Sequence, residues 1–422
     1  MDAIQAIKGM NDLLPDQIHW WQKLERTARE LLGAFGYREL RTPLLEKTEL
    51  FARSIGESTD IVEKEMYTFA DLSGQLLTLR PEATASVVRA FIQHNLQADP
   101  LARKFYMMGP MFRHERPQKG RYRQFHQIDA EVFGIDDPML DAEIMYMLRL
   151  LLERIGLSGV VLHINSLGCP QCRAEYRVEL KEFLARESLG FCPDCQRRRH
   201  TNALRVFDCK VERCRDLLTE APVLLDHICP SCARHFTQVR ESLDQIQTPY
   251  VIDARMVRGL DYYTRTTFEV ITDQLGAQNA VGGGGRYDGL MKELGGPELP
   301  GIGFAMGMER LILLLQQQQE SSRNQVDLFV AALGDRARRH AFGLTQELRA
   351  QGLATEMDYG GASLKSQMRK ADKLQVRFVA ILGDAEVDRG ELQLRDMTTK
   401  TQQAVPFDGA LPMLIRTIRE GA

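Results

Sequence analysis

Between Arg103 and Arg123 the chain carries seven basic residues: Arg103, Lys104, Arg113, Arg116, Lys119, Arg121 and Arg123. One acidic residue, Glu115, stands among them, so the local net charge is +6. Fixed cations at this density suit phosphate oxygens, and the interleaved Phe112, Tyr122 and Phe125 offer ring faces on which a base can stack. A guanidinium is the stronger choice for such work, because its planar fork grips phosphate in two places and keeps its charge. A second chemistry is written in the cysteines. All eight fall between Cys169 and Cys232, as the pairs Cys169/Cys172, Cys192/Cys195, Cys209/Cys214 and Cys229/Cys232. Three pairs read Cys-Pro-x-Cys. That spacing lets two thiolates chelate one ion, and two pairs complete a tetrahedral shell of four. Four pairs can serve two structural zinc ions, in any of three groupings.

The surrounding composition is ordinary. The 422 residues are 44% hydrophobic and 26% charged, which excludes a mostly disordered chain. At roughly 100 to 200 residues per domain, two to four domains are expected. The net charge is −3, so no polyanion-binding face covers the whole surface. No basic segment followed by an apolar run opens the chain, and no apolar run approaches the roughly 18 to 20 residues that span a bilayer. The expected compartment is the cytoplasm, where thiols stay reduced and are free to bind metal.

Several elements must position these residues. Ile18, Trp21, Leu24, Ala28, Leu31 and Leu32 recur at helical spacing, with Gly33 and Gly36 as stops. Residues 37–45 read as an extended edge segment interrupted by Pro43. Asp137 and Pro138 open a second helix that Gly156 closes. The segments flanking Pro117-Gln118-Lys119-Gly120 are strand-like, so residues 105–133 form a hairpin with a basic tip. From Cys169 to Arg240 the texture changes to short helical patterns, with 13 basic and 10 acidic residues; an insertion with a small core of its own is expected. A glutamine run and a polar stretch put a boundary near residue 323. Beyond it, strands 328–333, 353–357 and 378–382 alternate with helical segments, which predicts a small parallel-rich sheet.

Three segments fall in a suggestive order. Gly36-Tyr37-x-x-Leu40-x-x-Pro43 is a helix-to-strand transition, Phe112-Arg113-x-Glu115 opens the basic loop, and Gly301-Ile302-Gly303-Phe304-Ala305-Met306-Gly307 leads into Glu309-Arg310. Together they resemble the three signature motifs of class II aminoacyl-tRNA synthetases. Thr78-Leu79-Arg80-Pro81-Glu82-Ala83-Thr84, Arg258-Gly259-Leu260-Asp261-Tyr262-Tyr263 and Gly283-Gly284-Gly285-Arg286-Tyr287-Asp288 narrow the resemblance to the histidyl-tRNA synthetase family, over essentially the whole chain.

The resemblance implies an α+β protein. An antiparallel-sheet catalytic domain would span 1–168 and 241–322, a Cys-rich insertion 169–240, and an α/β anticodon-binding domain 327–422. It implies an AMP-forming ligase that takes L-histidine, ATP with Mg2+ and histidine tRNA, and works as a homodimer. Carried over position by position, Arg258 and Arg113 are the catalytic cations. Glu82, Ala83, Thr84, Arg113, Gln127, Glu131, Arg258, Tyr262, Tyr263 and Tyr287 form the histidine site. Arg113, Glu115, Phe125 and Arg310 form the ATP site, and Arg116, Gln118, Arg121 and Arg123 face the tRNA acceptor end. A carboxylate and a hydroxyl can match the acceptor and donor of neutral imidazole, as Glu131 and Tyr263 would. Many family members lack the cysteines, so the chemistry should not depend on a metal bound there. The rival reading is a non-catalytic paralogue of the same fold, such as the regulatory subunit of histidine biosynthesis. Against it stand Glu82, Arg113, Arg258 and Arg310, all present, and the C-terminal segment.

Overall fold

The computed structural model describes residues 3–56, 59, 61–101, 103–186, 190–275, 279–318 and 326–420. The polar stretch expected as a linker, 320–325, lies outside them. The chain divides into two compact units, Met1–Gln319 and Glu320–Ala422.

The first unit is organised on an eight-stranded sheet. Its spatial order is Arg38–Glu39, Lys104–Phe112, Gln124–Phe133, Gly301–Gly307, Ala280–Arg286, Thr264–Ile271, Val161–Ser166 and Val251–Ile252. The outermost pair at each edge is parallel and every other pair is antiparallel. The basic hairpin is two adjacent strands of this sheet, with Phe112 opposite Gln124 and Lys104 opposite Val132. Strand alternation gives the sheet two different faces. Ile128, Ala130 and Val132 join Ile302, Phe304, Met306, Phe268 and Val270 in a buried apolar cluster with two helices. One is Pro15–Ala34, buried through Trp20, Trp21, Leu24, Ala28, Leu31 and Leu32. Gly36 ends it at φ +81°, and the Tyr37 N–H donates back to the Leu32 carbonyl at 2.9 Å. The other is Pro138–Ile155, capped by the Asp137 side chain, which accepts from the Met139 N–H at 2.9 Å.

The Cys-rich segment folds as the helices Pro170–Arg186, Pro193–Thr201, Glu212–Leu217 and Pro230–Gln245. Its core is not separate, contrary to the expectation. Tyr176, Leu180 and Leu184 are buried in one cluster with Ala83, Val87 and Phe91. Phe236, Val239 and Leu243 join the cluster under the sheet. A segment this short and charged has little apolar surface to bury alone, so it shares its neighbour's.

The second unit has a five-stranded sheet ordered Thr355–Met357, Leu328–Leu333, Phe378–Gly383, Glu391–Asp396 and Gln402–Pro406. The first two junctions are parallel, as the strand–helix alternation predicts. The last two are antiparallel, so the sheet is mixed. The chain returns there through a tight turn, where Asp396 accepts the N–H groups of Thr398 and Thr399 at 2.7 and 3.1 Å. On helix Leu364–Lys373, buried Gln367 exchanges hydrogen bonds with the backbone of Ala332. That orientation leaves Lys365, Arg369 and Lys370 exposed. Among the described residues no helix is long and apolar enough to cross a membrane.

Candidate active site

A cleft of about 590 Å³ opens on the sheet face opposite the Ile128–Ala130–Val132 stripe. Strand Gln124–Phe133 presents Phe125, Gln127, Asp129 and Glu131 to that side, every second residue. Glycines on the neighbouring strands keep it open. A Cβ on Gly303 would collide with the Glu131 carboxylate and the Ala130 carbonyl, and one on Gly283 would meet Arg258 Nη1 at 2.9 Å. The glycine run 282–285 lies in a central strand, where the missing side chains let the flanking strands' backbone and Arg258 approach closely.

The cleft gathers carboxylates. Glu82 lies at the start of helix Thr84–Gln93, where its two oxygens accept the N–H groups of Thr84 and Ala85, each at 2.8 Å. Burial pushes its pKa up, and these bonds and the Arg113 charge pull against that. Thr84 Oγ1 donates to Glu131 Oε1 at 2.6 Å, and the Tyr287 hydroxyl donates to Glu131 Oε2. Glu131 does not line the cleft itself but sits just behind Thr84 and Tyr287, and burial pushes its pKa up to about 8. Ala83 is likewise buried behind the lining. The rings of Tyr262, Tyr263 and Tyr287 line the cleft, with centroids 4.7 Å apart for the first two and 5.6 Å for Tyr262 and Tyr287.

Asp129 was not singled out from the sequence. It is 1% exposed, lines the cleft, and its Oδ2 has no hydrogen-bond partner. Burial raises its pKa well above the usual carboxylate range, with Glu131 and Glu82 adding repulsion. Gln127 Oε1, next on the same face, is also unpartnered. Buried polar atoms without protein partners are uncommon, and these two can take theirs from whatever fills the cleft. The strand's alternation was the signal that could have found Asp129, since it lies between Gln127 and Glu131 on one face.

The same cleft gathers arginines. Arg113 Nε donates to the Pro81 carbonyl at 2.8 Å, and its guanidinium lies 5.2 Å from the Phe125 ring centroid. Arg258 pairs with Glu269 at 2.9 Å and lies over the Tyr263 ring. Burial works against its charge, but Tyr263 and Glu269 more than compensate, and its pKa is raised. Arg310 holds the basic loop, donating to the Gly120 carbonyl at 3.0 Å, and it reaches Ala280 O at 2.6 Å. Burial, then the neighbouring Arg121 and Arg113, lower its pKa. Three guanidiniums thus face one cleft from three separate stretches of chain.

The hairpin tip is less uniform than its charge suggests. Arg116 and Gln118 are exposed. Arg121 pairs with Glu115, and Arg123 Nε donates to the Glu115 carbonyl at 3.2 Å, so both turn inward. Arg286, beside Tyr287, points to the opposite face. It is 0% exposed and pairs with Asp141 at 2.6 Å, and His235 Nε2 meets the same carboxylate at 2.9 Å. His126 is also structural, held to Glu309 at 2.9 Å.

The structure also resolves the cysteine grouping. The outer pairs come together as Cys169, Cys172, Cys229 and Cys232, and the inner pairs as Cys192, Cys195, Cys209 and Cys214. Within each group all four sulfurs lie within 4.8 Å of one another, and all eight are free thiols.

A family model described as histidyl-tRNA synthetase matches residues 9–311, and an anticodon-binding domain model matches 327–417. The chain belongs to the histidyl-tRNA synthetase family. The family is one of AMP-forming ligases. A histidine–tRNA ligase of Syntrophotalea carbinolica is 55% identical over 418 residues, 99% of both chains. One of Geobacter metallireducens is 55% identical over 406 residues, 96% of this chain and 98% of the relative. Among solved structures, the apo histidyl-tRNA synthetase of S. aureus superposes with a TM-score of 0.82 at 36% identity, covering 98% of this chain and all of that one. The class II synthetase fold and the C-terminal anticodon-binding domain follow from these matches. A Bacillus halodurans protein described as an ATP phosphoribosyltransferase regulatory subunit/histidyl-tRNA synthetase shares the fold at 21% identity and a TM-score of 0.65.

Proposed function

We propose that this chain attaches L-histidine to histidine tRNA in two steps, through a histidyl-adenylate formed from ATP with release of pyrophosphate. The observation that carries the reading is one cleft lined both by buried carboxylates, Glu82 and Asp129, and by the guanidiniums of Arg113, Arg258 and Arg310. The carboxylates suit the substrate's cation. The α-ammonium of histidine is received by Glu82 with Thr84 and Gln127, and Asp129 faces the same space. The Tyr263 hydroxyl meets the imidazole, with Tyr262 and Tyr287 packing around the ring, and Glu131 fixes Thr84 and Tyr287 from behind. A pocket built on such bonds rejects analogues lacking them by about 10⁴ or more, because its buried polar groups would stay unpaired.

The arginines suit the anion. Negative charge builds on the α-phosphate as the histidine carboxylate attacks it, and donors already fixed in place stabilise that charge without reorganising. Arg258 and Arg113 face the α-phosphate, Arg310 the γ-phosphate, and Phe125 and Glu115 the adenine. Mg2+ arrives with ATP and neutralises its phosphates. Exposed Arg116 and Gln118 at the hairpin tip, with Arg121 and Arg123 behind them, meet the acceptor end of the tRNA. The 1–168 and 241–322 segments form the catalytic domain, 169–240 an insertion in it, and 327–422 the domain that reads the anticodon. The enzyme acts in the cytoplasm. It is a homodimer, and the small sheet of Leu45–Lys47, Leu76–Leu79 and Tyr67–Ala70, with exposed Leu45, Phe69 and Leu76, is apolar surface suited to a second copy.

The deciding assay is exchange of labelled pyrophosphate into ATP. Exchange should require histidine and should not occur with other amino acids. Folded protein that supports no histidine-dependent exchange would overturn the proposal and favour the binding paralogue.

A further inference from the structure

The loop that carries Arg258, Tyr262 and Tyr263 runs from Asp253 to Tyr263 without helix or strand of its own. Something else must fix it, because backbone free of regular structure is held by its side-chain and tertiary bonds. The sheet holds its first half, where Asn165 Nδ2 donates to the Met256 carbonyl at 2.9 Å, and the Asp261 N–H donates to the Ile55 carbonyl at 3.3 Å; further bonds come from the Cys-rich segment. Arg173 Nη1 donates to the Tyr263 carbonyl at 3.0 Å. Asn202 Nδ2 donates to Asp261 Oδ1 at 2.8 Å, and Arg205 Nη1 donates to the Gly259 carbonyl at 2.8 Å. Every second residue from Gly259 to Tyr263 is therefore tied to that segment.

Each tie is rooted at a cysteine group. Arg173 follows Cys172 directly, at the start of helix Pro170–Arg186. Asn202 and Arg205 lie between Cys195 and Cys209, and Arg205 is braced by Asp208 at 2.6 Å, one residue before Cys209. The sulfur geometry suits a single four-coordinate ion in each group. A zinc–sulfur bond of about 2.3 Å in a tetrahedron places sulfurs about 3.8 Å apart. The separations are 3.5 Å for Cys169 and Cys172, 4.0 Å for Cys172 and Cys232, and 3.8 Å for Cys192 and Cys209. Backbone N–H groups also point at the sulfurs, from Cys229 to Cys172 Sγ at 3.1 Å and from Cys192 to Cys214 Sγ at 3.2 Å. Such donors stabilise a thiolate and orient it toward a metal.

We infer that Cys169, Cys172, Cys229 and Cys232 hold one zinc ion, that Cys192, Cys195, Cys209 and Cys214 hold a second, and that the two ions set the Gly259–Tyr263 loop through Arg173, Asn202 and Arg205. Four thiolates per ion exclude a substrate position, so both sites are structural. Arg173, Asn202 and Arg205 are positioning residues for the loop.

Metal analysis of the full chain, purified under reducing conditions, should give two zinc per chain. Cys195→Ser and Cys232→Ser should each retain one. Less than about one zinc in the unaltered protein, or iron in its place, would overturn the assignment. Hydrogen exchange tests the coupling without using activity. Chelator treatment should speed exchange in 258–263 at least about tenfold while strand 124–133 stays protected. Unchanged exchange in the loop, or loss of protection in the strand as well, would overturn it. Arg173→Ala should keep both ions, loosen the same loop and raise the histidine KM about tenfold. That last readout rests on the proposed function, whereas zinc content and loop exchange do not. Arg173→Ala with a loop as protected as in the unaltered protein would refute the clamp.

Discussion

Arg258 Nη1 lies 2.9 Å from Glu269 Oε1, and both side chains line the cleft. The pair keeps a cation poised in the cleft, over the Tyr263 ring. On the proposed function, the phosphate of an incoming ATP would compete with Glu269 for a guanidinium whose charge is already in place. Preorganisation of this kind is the main source of transition-state stabilisation at a phosphoryl centre.

Arg258→Ala should therefore lower the rate of pyrophosphate exchange by about 10² to 10³, the usual effect of deleting one oxyanion donor. Histidine binding, followed by calorimetry, should survive. Loss of histidine binding with normal turnover would contradict the assigned role.

Asp129 faces the cleft with an unpartnered Oδ2. A hydrogen bond to an ammonium contributes about 1.5–3 kcal/mol. Asp129→Asn should raise the histidine KM about 10- to 100-fold and leave the ATP KM nearly unchanged. Equal effects on both constants would mean that the residue only supports the fold.

Glu131 supplies a pH test. Burial holds its pKa at about 8, above the ordinary 4.5. The folded state thus favours the protonated form. That stability is complete below the ordinary glutamate range and is lost as pH rises through about 8. Glu131→Gln cannot ionise, so its melting temperature should exceed that of the unaltered protein near pH 9 and converge with it near pH 5, by about a few degrees in total. Thermal denaturation across that range decides the matter; parallel curves would show that Glu131 is not the titrating group.

Arg286 and Asp141 are both 0% exposed by side chain. Removing one partner leaves a buried charge uncompensated, at a cost of about 3–5 kcal/mol. Arg286→Met should be destabilised by that amount in urea. Pyrophosphate exchange per folded molecule should change little, because Arg286 points away from the cleft.

Much of the candidate site was legible in order along the chain. Motif residues such as Arg113, Glu82, Arg258 and Arg310 carry recognisable neighbours, and strand periodicity marks the face of residues 125, 127, 129 and 131. Helix ends at Gly36, Asp137 and Gly156 were equally local, because a cap or a left-handed glycine acts within a few residues. Spacing likewise determined that each cysteine pair could chelate. It could not choose among three groupings, since pairs about 60 residues apart meet only where the chain closes on itself. Tertiary structure alone decided that outer pairs join outer and inner join inner. It also decided that Arg286 turns to Asp141 while Tyr287 turns to Glu131, and that the Cys-rich segment shares its neighbour's core. These outcomes depend on sheet register and on contacts between distant stretches, and a local sequence pattern encodes neither.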